Sequence, residues 1–147
     1  MAQATTVPFS GFRVLLETAT PGTYGAPCGL TERSLTLTKE TNDTTTPDCD
    51  NEDAAAWVER DTVSKSATIS GEGVMARESI ARWQAAYESD APISVRVERA
   101  GSAATGGGYY LGLFHLTSFE QSATRGERAT VSIEMSSSGP IAWTPAA

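Results

Sequence analysis

His115 is the only histidine of the chain, and it lies in an apolar run from Leu111 to Leu116. An imidazole acting as a base needs an orienting carboxylate and a nucleophile beside it, and neither a GxSxG turn nor an activated-cysteine motif is present. His115 therefore reads as a strand histidine. Cys28 and Cys49 sit singly in loops without CxxC spacing, so they read as free thiols of a reducing compartment. Asp48, Asp50, Glu52 and Glu59 occupy the first, third, fifth and twelfth places of a calcium-loop pattern. Asp53 stands where the sharp turn of such a loop needs glycine, and no helices flank the segment, so it reads as a solvated tip. Gly71-Glu72-Gly73 and Gly106-Gly107-Gly108 imitate phosphate loops but lack the lysine, the glycine spacing and the helix start that aim backbone amides at a phosphate. The reading is no enzyme, no cofactor and no metal. Trp57 is different: an aromatic in a polar segment with few apolar neighbours is suited to anchoring on another chain.

The elements that position these residues follow from periodicity. Leu35 and Leu37 alternate with Ser34, Thr36 and Thr38, and Ala67, Ile69 and Gly71 alternate with Ser66, Thr68 and Ser70. Both are period-two patterns of half-buried strands. They bracket Glu40 to Glu59, which holds seven acids and no lysine or arginine. The whole reads as a long hairpin, with residues 40–65 as its extended arm. Phe12 to Glu17 reads as a first strand, and the breaker-rich Thr18 to Thr31 as an irregular loop pinned by Tyr24. Ile80, Trp83 and Tyr87 recur at helical spacing within Met75 to Ser89, with Glu78 and Arg82 placed for an i,i+4 pair and Pro92 beyond the end. Ile93, Val95 and Val97 form the next strand, and Gly101 to Gly108 a flexible turn. Tyr109 to Glu120 is bulky on both sides, with Leu111 and Leu113 on one face and Tyr110, Phe114 and Leu116 spread over both, so it reads as covered on both faces. Ala129, Val131, Ile133 and Met135 alternate in another strand, and Ile141 to Trp143 adds a short last one.

At 147 residues the chain fits one domain, 1–147, with residues 1–11 as a mobile N-terminal arm. One helix cannot cover both faces of six or seven strands. The expected fold is mainly β: two packed antiparallel sheets, as a sandwich or barrel, flanked by one α-helix. The net charge is −7, and without the seven acids of Glu40 to Glu59 the remaining acids and bases balance at eleven each. A localised acidic patch of this kind argues against ordinary phosphate-backbone binding. No apolar run reaches membrane-spanning length and no signal peptide is visible, so the protein is expected to be cytoplasmic when made. On these residues alone, a monomeric β-sandwich that uses the acidic loop for recognition is the other reading.

The order of Glu40-Thr41-Asn42-Asp43-Thr44-Thr45, then Trp57, then Ser70-Gly71-Glu72-Gly73 and a short helix resembles the major tail tube proteins of siphophages and of phage-like gene transfer agents. The resemblance covers nearly the whole chain in length and order. It implies a structural virion protein forming hexameric rings that stack into a tail tube, through which DNA passes without specific binding on its way into the host cell. It also implies partners among other tail proteins: tape measure, tail terminator and distal tail protein. In that setting Asp43, Thr44, Asp48, Asp50, Glu52, Asp53 and Trp57 are expected at contacts between subunits and rings. Thr36, Thr38, Glu40, Thr68, Ser70, Thr130, Ser132 and Glu134 are expected to face the lumen, where hydroxyls hold water and offer DNA no basic patch.

Overall fold

In the computed structural model, which describes residues 2–18 and 20–146, the alternating segments pair into β1 (Phe12–Glu17), β2 (Tyr24–Gly25), β3 (Leu30–Thr45), β4 (Val58–Val74), β5 (Ile93–Arg99), β6 (Gly108–Ser122), β7 (Thr130–Ser137) and β8 (Ala142–Pro145). Hydrogen bonds join the eight strands into one antiparallel sheet in the order β2-β1-β5-β6-β7-β4-β3, with β8 paired to the start of β6. The fold is mainly β with one flanking helix, α1 (Arg77–Glu88).

Register brings the apolar residues of the strands to one side. Val14 pairs with Val97, Ile93 with Phe114, Leu116 with Met135, and Met135 with Ile69. Together with Leu16, Val95, Val131 and Ile133, and with Ile93 packed half-buried against them, they form one buried cluster, into which α1 inserts Trp83 and Ala86. Burying a side chain of this size contributes about 1.5 to 3 kcal/mol. A Cβ at Gly73 would overlap the Gly29 carbonyl, so glycine there lets β3 start close against β4.

Several expectations change. The buried stripe of α1 is Ser79, Trp83 and Ala86, whereas Tyr87 is 58% exposed. Ser79 is drawn in because its hydroxyl accepts from the Cys28 amide at 2.6 Å and donates to the Cys28 carbonyl at 3.1 Å. Arg82 does not pair with Glu78; it donates to the Gly25 carbonyl at 3.0 Å and so ties α1 to β2. Tyr24 does pin its loop, through a 2.7 Å bond between its hydroxyl and that of Ser94. In β6, Tyr110, Phe114 and Leu116 all face the core, and the other face is not covered, since Leu113 is 44% exposed. The register break comes later, as a bulge at Thr117, whose hydroxyl donates to the Glu134 carbonyl at 3.1 Å. The glycine-rich turn is built around a 3-10 turn, Ala103–Thr105, with Ser102 and Thr105 forming a reciprocal cap. Near the N-terminus, Phe9–Gly11 forms another such turn, held by Ala100 donating to the Gly11 carbonyl and by Arg33 donating to the Phe9 carbonyl.

Candidate assembly surface

The side of the sheet opposite the core is polar over β3, β4 and β7, and its composition follows from register. Thr36 faces Thr68 and Thr68 faces Ser136; Ser34 faces Ser70 and Ser70 faces Glu134; Val74 faces Thr130. The eight residues expected on a lumen face, Thr36, Thr38, Glu40, Thr68, Ser70, Thr130, Ser132 and Glu134, therefore share this one side. Thr68 and Ser132 are half-buried and the other six are exposed. Ser34 and Ser70 join across the strands by a 2.6 Å hydroxyl contact, and Ser122 and Thr130 by one of 2.7 Å.

Sequence reasoning placed Glu40 and Glu134 on this face but missed three further carboxylates, Glu32, Glu72 and Glu120. Glu32 faces Glu72, Glu72 faces Ser132, and Ser132 faces Glu120, a row that crosses four strands. With Glu134 beside this row, four acids stand among the hydroxyls over the core, and Glu40 lies farther out on the same side. Glu72 was visible as the polar member of an alternating strand. Glu120 was not, because the bulge at Thr117 reverses which parity of β6 faces the core.

This polar sector ends in two open edges. β3, sixteen residues long, lies at the end of the strand order and, among the described residues, is paired on one side only. Beyond Phe114, β6 keeps β7 on one side and has no strand on the other among the described residues. Such edges present unpaired amides and carbonyls and invite further strands.

The arm is more regular than its composition suggests. Pairing continues from Leu37 opposite Ala67 out to Thr45 opposite Val58, past a bulge near Glu40, because the threonines and polar residues here satisfy a ladder without needing a core. Asp43 lies on the ladder and its carboxylate accepts from the Arg60 guanidinium at 2.9 Å; both are well exposed, so the pair contributes little stability. Thr44 faces Glu59. Asp48, Asp50, Glu52 and Asp53 lie in the tip, where the Asp48 carboxylate accepts from the Asp50 amide at 2.8 Å. Trp57, at the base of the tip, is 92% exposed. The ladder thus carries Asp43 and Thr44 outward and presents the other five at its far end.

A family model described as phage tail tube protein matches residues 8–142. None of the curated proteins matches the chain. Among solved structures, a tail of an empty gene transfer agent particle with C6 symmetry is similar at a TM-score of 0.80 and 21% identity, over 95% of this chain and 99% of that one. The virion of a native gene transfer agent particle gives 0.77 and 20%, over 95% and 99%. The SPP1 tail tube gives 0.65 and 11%, over 95% and 80%.

Proposed function

Because the chain belongs to the phage tail tube protein family, and is thus a structural tail protein, we propose that six copies close into a ring, that rings stack into a tube, and that DNA passes along the polar sheet face. The observation that supports this reading is the β6-β7-β4-β3 sector: hydrophilic on one side, and open at both edges. If β3 of one copy pairs with the free stretch of β6 in the next, the ring closes and neither edge of this sector is left exposed. Four strands from each of six copies would exceed the roughly 16 to 18 at which barrels already leave an aqueous channel. The symmetry is taken from the similar gene transfer agent tail. Hydroxyls keep such a wall hydrated, and the four carboxylates repel a polyanion in transit.

The arm, 40–65, then reaches beyond its own ring, with Asp43 and Thr44 along its length and Asp48, Asp50, Glu52, Asp53 and Trp57 at its end. Of the N-terminal arm, the stretch before the Phe9–Gly11 turn, which is held on its own subunit, orders against a neighbouring subunit, and the other tail proteins cap and fill the tube. Negative-stain microscopy of purified protein at high concentration tests the proposal: six-fold rings or tubes are expected. A protein that stays monomeric and never enters particles when supplied with the other tail components would overturn it.

A further inference from the structure

The chain has two lysines, Lys39 and Lys65, and they stand directly opposite each other in the β3-β4 ladder. Both are on the core side of the sheet, yet beyond the core itself: Ala67, two residues inward, is 1% exposed, whereas Leu37 and Val63 beside the lysines are 53% and 60% exposed. Like charges directly opposite in an antiparallel pair repel. Neither lysine has an ion-pair partner among the described residues, where the pairs formed are those of Arg13 and Arg96 with Glu98 and of Arg60 with Asp43. The subunit alone thus holds two cations together on an exposed apolar strip, an arrangement that an anionic partner would relieve.

The strip is one wall of a groove of about 870 Å³. The opposite wall is Tyr110, Ile141 and Trp143, the two aromatic rings lying 4.6 Å apart. The complement of this groove is present in the same chain. The tip of the arm carries Asp48, Asp50, Glu52 and Asp53, all exposed, with Trp57 at 92% exposure beside them. We infer that the groove at the root of the arm receives the acidic, tryptophan-bearing tip of a second copy, the indole entering between the aliphatic strip and the aromatic wall and the carboxylates meeting Lys39 and Lys65.

The contact has to be between copies. The tip and the lysine pair are held apart by the six further pairs of the ladder from Glu40 to Thr45, on the order of 20 Å at the usual rise of a strand, and a paired hairpin cannot fold its end back onto its own base. Tip-to-root is a head-to-tail contact, which repeats in an open series where it does not close on itself. It therefore extends a stack. Each added copy hides one exposed tryptophan and neutralises one lysine pair.

The inference rests on the ring-stacking reading above, and the experiment separates the two. Three variants are compared for tube yield by sedimentation and negative stain: the groove reversed by Lys39→Glu with Lys65→Glu, the tip reversed by Asp48→Lys with Asp50→Lys and Asp53→Lys, and both together. All altered residues are exposed, so thermal melting should match that of the unmodified protein. Should the groove reversal melt early, Lys39→Gln with Lys65→Gln takes its place and should lower yield in the same direction. Each reversal alone should lower tube yield about tenfold at low salt, and the combined variant should recover to within about threefold, since complementarity is restored with signs exchanged. Normal tubes from the groove variant, or no recovery in the combined one, overturns the inference. If shortening the tip abolishes tubes while the groove variant still forms them, stacking through the arm stands and the tip docks elsewhere.

Discussion

Trp83 and Tyr87 lie one turn apart on the same helix, yet Trp83 is 2% exposed and Tyr87 58%. Their contributions should differ accordingly. Trp83→Ala empties the space between α1 and the sheet and should cost about 3 to 5 kcal/mol, as deletion of a buried aromatic does. Tyr87→Ala should stay within about 0.5 kcal/mol, as exposed substitutions do. Urea unfolding of dispersed subunits measures both, and a costly Tyr87→Ala would mean that its ring packs where the fold leaves it open. Apolar spacing in the sequence located the helix and Trp83 correctly. It assigned Tyr87 inward because periodicity counts only apolar residues, whereas the third inward position belongs to Ser79, recruited by two hydrogen bonds to the Cys28 backbone. A polar residue buried for its partners leaves no mark in a hydropathy pattern.

Two elements carry the assembly features, and they differ in how far local sequence determines them. The hairpin was legible because Thr and Ser alternation on both sides of the acidic segment fixes register and face together. The reach of its ladder was less so, since pairing out to Thr45 and Val58 rests on backbone bonds and not on buried side chains. In β6 the bulge at Thr117 reverses parity, so strict alternation follows Phe114 and Leu116 into the core but sends Phe119 and Glu120 to the wrong sides. The arm tip makes no contribution to the core cluster. Replacing Thr46 to Ala56 with a Gly/Ser turn of about half the length should therefore leave a cooperatively melting subunit, changed by about 0.6 kcal/mol in loop-closure entropy, that no longer forms tubes. Calorimetry and negative stain report the two halves of that expectation. An unfolded product would place the tip in the folding unit, and normal tubes would place stacking elsewhere.

At the scale of the whole molecule, charge is distributed by function and not by fold. The segment Glu40 to Glu59 accounts for the net charge of −7, while Glu32, Glu72, Glu120 and Glu134 lie on the face proposed to meet DNA. None of these four joins an ion pair among the described residues, so their charge remains available to repel a polyanion. Glu72→Lys with Glu120→Lys alters that face without touching the arm or the apolar core, and the variant should still melt as a unit and form tubes. Assembled in the presence of short linear duplex DNA and then treated with nuclease, the variant tubes should retain protected DNA, whereas unmodified tubes should retain almost none. The protected amount should fall steeply with salt, because each phosphate neutralised by a lysine releases counterions and steepens the log-log slope by about 0.9. Nuclease is what gives the measurement its direction: lysines on an outer wall would also bind DNA, but would leave it open to digestion. Bound DNA that is fully digested would place this face outside the tube, and variant tubes that hold no DNA at all would show that the face meets none.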